Sequence, residues 1–325
     1  MKLITFEPRN APPRIGALVG DNRLVDFAAA GKTGAVPDYF TSMVALIEGG
    51  ETAWAQARAV AADPPEAALV GVDTVRLLAP IPVPPQVRDF LSFELHFSQA
   101  MESIGRIRAA AAPDPDAALA AMKASGKLGI PDVWYRQPVY YKGNRFAVSG
   151  PGDDVVWPDY SKIMDYELEL AAVIGRTGKD IPRDQAQAFI FGYTILNDFS
   201  ARDAQGIEME GMLGPAKGKD FDGANAMGPC LVTADEIGDP YDLTMIARVN
   251  GAEWSRGNSR TMHWTFADMI AHVSRSETLY PGEVLGSGTV GNGCGLEHMK
   301  FLEDGDTVEL EIDKIGVLKN RVVRA

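Results

Sequence analysis

Cysteine is scarce in this chain. Cys230 and Cys294 are the only two in 325 residues, and neither belongs to a CxxC pair. A disulfide framework and a structural zinc site are thereby excluded, which fits a reducing compartment. Positive charge is also in deficit, with 31 Lys and Arg against 44 Asp and Glu and a net charge of -13. Phosphate backbones and anionic lipids need basic patches, so neither nucleic acid nor membrane is expected as a partner. No run reaches the length of a membrane-spanning helix, and Met1 to Pro8 contains no apolar leader core. The sequence therefore predicts a soluble cytoplasmic protein, with enough apolar residues for one large domain and a smaller one.

A proline-rich connector, Ala79-Pro80-Ile81-Pro82-Val83-Pro84-Pro85, can form neither helix nor central strand. It predicts a boundary between a small α+β domain at 1-78 and a larger domain at 79-325. In the first part, strands are expected over Lys2–Phe6, Ile15–Val19 and Val75–Leu78, a turn at Gly20-Asp21-Asn22, and a helical stretch over Tyr39–Ala62. In the second, an alanine-rich helical insertion lies near 100-134, with Asp114 and Asp116 at a helix start and Gly126 at a stop. It reads equally as a lid over a site and as a surface insertion. Beyond Pro138, strands are expected at Asp154–Trp157, Tyr166–Ile174, Phe189–Asp198, Cys230–Thr233, Leu243–Val249 and Thr307–Ile312. The class is mainly β with α (α+β), without a βαβ array.

The feature that points to chemistry is Glu167-Leu168-Glu169 inside an apolar run. Residues i and i+2 of a strand share a face, so both carboxylates project the same way. Such a pair repels and is costly to desolvate unless something positive lies between. Asp198 ends another predicted strand, and Ser200 with Asp203 resembles a capping-box helix start just after it. Arg202 and Gln205 then share a helical face, and Lys219 follows a glycine-flanked loop. Carboxylates from two strands, without cysteine or an adjacent histidine pair, make a hard oxygen site suited to Mg²⁺, Mn²⁺ or Ca²⁺. A lone Glu-x-Glu also fits an exposed antiparallel face with scattered acids; the neighbouring Arg202, Gln205 and Lys219 weigh against that. His96, seven residues after Asp89 and just past the connector, suits general-base work on water beside a metal.

Taken together, these segments resemble the fumarylacetoacetate hydrolase family from about Pro80 to Ile315. The Glu-x-Glu and the signature Asn197-Asp198-Phe199-Ser200-Ala201-Arg202-Asp203 carry the likeness, with Pro138 to Gly143 and Gly286 to Gly291 beside them. The resemblance implies a roll-like catalytic domain, a homodimer, and a divalent metal, Mg²⁺ foremost, on Glu167, Glu169, Asp198 and Asp89. It implies His96 as base, Glu297 as its orienting partner, and Lys219 at the developing oxyanion. Tyr141, Arg202, Gln205 and Thr289 would contact a small anionic 2-oxo or diketo acid. The implied reaction is hydrolytic carbon–carbon cleavage through a metal-stabilised enolate; decarboxylation, hydration or isomerisation at the same site is the alternative. Two positions depart from the named enzyme of the family: its substrate-contacting tyrosine is replaced here by Leu91, and its arginine falls on Gly105, with Arg106 adjacent.

Overall fold

Alternation along one central strand explains the layering. The computed structural model describes residues 1-20, 22-31 and 36-324; Asp21, in the expected turn at Gly20-Asp21-Asn22, lies outside them. The N-terminal strands are β1 (Lys2–Glu7), β2 (Arg14–Leu18), β3 (Arg23–Asp26), β4 (Leu69–Gly71) and β5 (Arg76–Leu78). Next come β6 (Val87–Phe90), β7 (Tyr140–Gly143), β8 (Val148–Ser149), β9 (Asp154–Trp157), β10 (Met164–Asp165), β11 (Leu168–Ile174) and β12 (Ile190–Asp198). The chain continues through β13 (Ser200–Ala201), β14 (Asn225–Thr233), β15 (Thr244–Val249), β16 (Ala252–Asn258), β17 (Val284–Gly286), β18 (Thr307–Ile312) and β19 (Gly316–Arg324).

Among the described residues the main sheet runs β4-β3-β2-β1-β14-β12-β11-β17-β6-β7, with β5 beside β1 and β8 beside β14. A second sheet runs β16-β15-β18-β19-β9, and β10 pairs with β13. On β11, Leu168, Leu170, Ala172 and Ile174 enter the core shared with the second sheet, together with Met245, Leu310 and Ile312. Ala171 and Val173 face the other way, into a core with Phe40, Leu46, Ile47 and Trp54 from the N-terminal helices. The period of two thus divides one strand between two cores. β1 hydrogen-bonds to β14 in antiparallel register, Leu3 opposite Leu231, so residues 1-78 and the rest share one sheet.

Several helices differ from expectation for local reasons. The stretch Tyr39–Ala62 is broken into a 3₁₀ turn Asp38–Phe40 and helices Met43–Glu48 and Gly50–Ala62. Ser42 caps the first by accepting from Ala45 N, and Gly50 at φ +60 turns the chain at the start of the second. The helical insertion begins earlier than 100, as Glu94–Ala109, followed by Pro115–Ala124 and Asp132–Arg136. Asp114 caps the middle helix through Ala117 N at 3.0 Å.

Candidate metal centre

Two neighbouring strands and one beyond β17 bring four carboxylates together. Asp89 comes from β6, Glu169 from β11, Asp198 from the end of β12, and Glu167 from the residue pair just before β11. One oxygen of each lies within 4.8 Å of the others, and all four residues are buried. Gly286 on β17 is opposite both Asp89 and Ala171. A Cβ there would stand 2.5 Å from Asp89 Oδ1 and 2.9 Å from Glu169 Oε2. Glycine is what lets carboxylates from strands on either side of β17 converge.

Cations hold one side of the cluster. Lys219 Nζ donates to Glu167 Oε2 and Asp198 Oδ2, each at 2.5 Å. It is carried by the short helix Ala216–Lys219, docked on the helix Arg202–Glu210 by Glu208, which accepts from Lys217 N and Gly218 N. A Cβ at Gly218 would come within 2.6 Å of Gln205 Cβ, so that close approach requires glycine. Arg202 lies 2.7 Å from Glu167 Oε1 and donates to Gln205 Oε1 at 3.0 Å. Tyr141 donates to Asp198 Oδ2 at 2.8 Å, and Gly288 N donates to Glu169 Oε2 at 3.0 Å.

The charges do not balance. Asp89 Oδ1, Glu169 Oε1 and Asp198 Oδ1 are buried with no hydrogen-bond partner. Burial pushes the Glu169 carboxyl well above its usual range, and the charge of Asp89 adds to the push. Asp198 and Asp89 are raised by burial too, although Lys219 pulls both down. For Glu167, burial also disfavours the anion, but Lys219 and Arg202 overcome it and hold the carboxyl below its ordinary value. Lys219 is raised because Asp198 and Glu167 outweigh its own burial. Three unpartnered oxygens from separate strands, around a cradle that a Cβ would fill, fit a divalent cation with oxygen ligands. The cluster can hold such a cation.

Beside it, His96 occupies the first turn of the helix Glu94–Ala109 and is buried. Its Nδ1 donates to Glu297 Oε1 at 3.1 Å. Glu297 is fixed in turn, its Oε1 accepting from Asn292 N and its Oε2 from Cys294 N. In the tautomer that donates from Nδ1 to this carboxylate, the lone pair lies on Nε2. His96, the metal-type carboxylates Asp89, Glu167 and Glu169, and Thr289 all line one cavity of about 600 Å³. Thr289 Oγ1 is buried without a partner, whereas Glu297 stands behind His96.

The helix start at Ser200 is a correction. Ser200 belongs to β13 and its hydroxyl donates to Asp198 O at 2.9 Å; the helix begins at Arg202 without a side-chain cap. Asp203 instead accepts from Ser161 Oγ and Lys162 N. Sequence reasoning also passed over Asp165. Its Oδ1 accepts from Gly295 N at 2.8 Å, and its Oδ2 accepts from Leu296 N at 2.9 Å and Arg202 Nε at 2.8 Å. It thereby ties the arginine beside Glu167 to the turn that carries Glu297. The available signal was its place in a second i,i+2 pair, Asp165 with Glu167.

Comparison with known proteins follows the same lines. The family description Fumarylacetoacetate (FAA) hydrolase C-terminal matches residues 117–323. One mitochondrial oxaloacetate tautomerase of Homo sapiens is 40% identical over 189 residues, 58% of this chain and 60% of its own length. The chain thus spans about 60% of that relative. The fumarylacetoacetate hydrolase structure from Exiguobacterium antarcticum superposes with a TM-score of 0.73 at 28% identity, covering 100% of both chains. The maleylpyruvate hydrolase of Sphingobium sp. SYK-6, solved with manganese (II) and pyruvate, has the same fold, with a TM-score of 0.72, 24% identity and 100% coverage of both chains. Over more than half its length the chain matches this one description, and it belongs to the fumarylacetoacetate hydrolase family.

Proposed function

We propose that the protein is a divalent-metal-dependent hydrolase that cleaves a carbon–carbon bond in an acylpyruvate or related β-diketo acid. The observation that carries this reading is His96, which lines the cavity beside the carboxylates Asp89, Glu167 and Glu169 and is backed by Glu297. Binding alone needs no such base. Asp89, Glu167, Glu169 and Asp198 would hold the cation, with Mg²⁺ first and Mn²⁺ or Ca²⁺ as alternatives. A bound cation there supplies Lewis-acid polarisation of substrate oxygens. His96, oriented by Glu297, takes a proton from water at Nε2 as that water attacks the distal carbonyl. Arg202 and Lys219 face the negative charge that grows as the bond breaks, and Thr289 Oγ1 is free to donate to the substrate carboxylate.

The second reading is tautomerisation of a 2-oxo acid, favoured by the name of the human relative. It uses the same base to move a proton between carbon and oxygen and consumes no water. Incubating the metal-loaded protein with acylpyruvates and oxaloacetate separates the two. Hydrolysis releases a carboxylic acid and pyruvate. Loss of enol absorbance with no acid fragment would favour the tautomerase, and carbon dioxide release alone would sink both.

A further inference from the structure

The cavity is chemically divided. Its floor carries Asp89, Glu167, Glu169, Lys219 and Thr289, while its mouth passes between the helices Glu94–Ala109 and Arg202–Glu210. One helix contributes Ala100, Ile104 and Ile107, which are spaced i, i+4, i+7 and form a single stripe. The other contributes Ile207 and Met209, which are 75% and 52% exposed. Apolar side chains on both walls of a cleft are covered when an apolar ligand segment lies between them.

Charge at the mouth points the same way. Arg108 is the one cation among the rim residues, and Glu210 stands 3.7 Å from it. The deeper cations are committed, Lys219 to Glu167 and Asp198, Arg202 to Asp165 and Glu167. A carboxylate at the far end of a substrate would have to compete with Glu210 for the one rim cation. At about 600 Å³ the cavity also exceeds what a three-carbon acid fills.

We infer that the substrate is a monocarboxylic 2-oxo or 1,3-dioxo acid with an apolar alkyl or aryl tail, and that Ile104 and Ile207 select for that tail. The inference rests on the 2-oxo acid reading of the floor. Calorimetric titration of the metal-loaded protein tests it, using straight-chain 2-oxo acids of increasing length, which hydrolysis of a diketone cannot consume. Their ω-carboxylated counterparts and plain fatty acids of matching length are titrated alongside.

Affinity should rise about threefold to fourfold per methylene, and each diacid should bind at least about tenfold more weakly than its monoacid counterpart. Ile104→Ser and Ile207→Ser should flatten the slope and leave pyruvate affinity unchanged. A flat series in a protein that binds pyruvate would overturn this inference alone. Diacids that bind tighter, and lose that advantage in Arg108→Ala, would overturn it in favour of a distal carboxylate. A slope shared equally by fatty acids would sink the 2-oxo acid reading and keep the apolar tail. No binding by any member would overturn both.

Discussion

Replacing Lys219 by methionine keeps most of the unbranched side chain and removes its charge. Lys219 Nζ sits 2.5 Å from both Glu167 and Asp198, in a site where all three side chains are at most 7% exposed. Two unit charges 4 Å apart at an effective dielectric constant of 20 interact by about 4 kcal/mol. Part of that is offset by the cost of burying the ammonium, and protonation of a carboxyl limits the damage once it is gone. Loss of one partner of a buried pair costs about 3–5 kcal/mol. At about 2 °C per kcal/mol for a chain of this size, the metal-free variant should unfold about 6–10 °C below the parent. The assay is differential scanning calorimetry after chelation, at one scan rate because unfolding of large chains is often irreversible. Mn²⁺ should then raise the variant's Tm by more than the parent's, since a cation that repelled the metal is gone. An unchanged metal-free Tm would refute the account, as would a smaller metal increment.

Other perturbations separate the parts of the site. His96→Ala should lower turnover by about 10²–10⁴-fold while Mn²⁺ affinity, measured by equilibrium dialysis, stays within about twofold of the parent; loss of metal would mean the histidine is a ligand. Gly286→Ala places a methyl 2.5 Å from Asp89 Oδ1 and 2.8 Å from Leu196 Cδ2, so the same dialysis should show at least about tenfold weaker metal binding with unchanged circular dichroism. Asp268 lies far from this chemistry, in the capping box of the helix Phe266–Val273. Burial opposes its ionisation, but Arg183 and Thr265 prevail and hold the carboxyl below its ordinary range. A depressed carboxyl stabilises above its unfolded value and loses that contribution as pH falls through the folded one. Asp268→Asn should therefore cost about 0.5–1 kcal/mol at pH 7, by urea midpoint, and the gap should close below about pH 4.

The parts of the fold that were legible from sequence are those where one face decides. Thr307–Ile312 alternates with Val308, Leu310 and Ile312 buried, and its bounds could be read from that period alone. The paired glutamates could be read for the same reason, because i,i+2 spacing in a strand survives any tertiary arrangement. What escaped depends on partners distant in sequence. The helix holding His96 begins at Glu94 without a side-chain cap, so no local signal marked its start. Ser200 has the residue type of a cap, yet Ser200 and Asp165 pair across β13 and β10. The i,i+2 spacing of Asp165 with Glu167 marks it as a candidate, but its role depends on Gly295 and Leu296, 130 and 131 residues away, which point their amides at it. Asp89 and His96 lie outside the stretch 117–323 matched by the family description, although β17 and β6 place Asp89 in the cluster.

The pairing of β1 with β14 has a consequence for the order of synthesis. Lys2 stands opposite Val232, yet translation at about 5–20 residues per second separates the two by roughly ten to fifty seconds. During that interval β2 can close one edge of β1, and β5 covers part of the other, from Thr5 to Glu7. The backbone at Lys2 and Leu3 must wait with open hydrogen-bonding groups. A nascent chain of this protein therefore carries a short unpaired strand edge until its second half emerges.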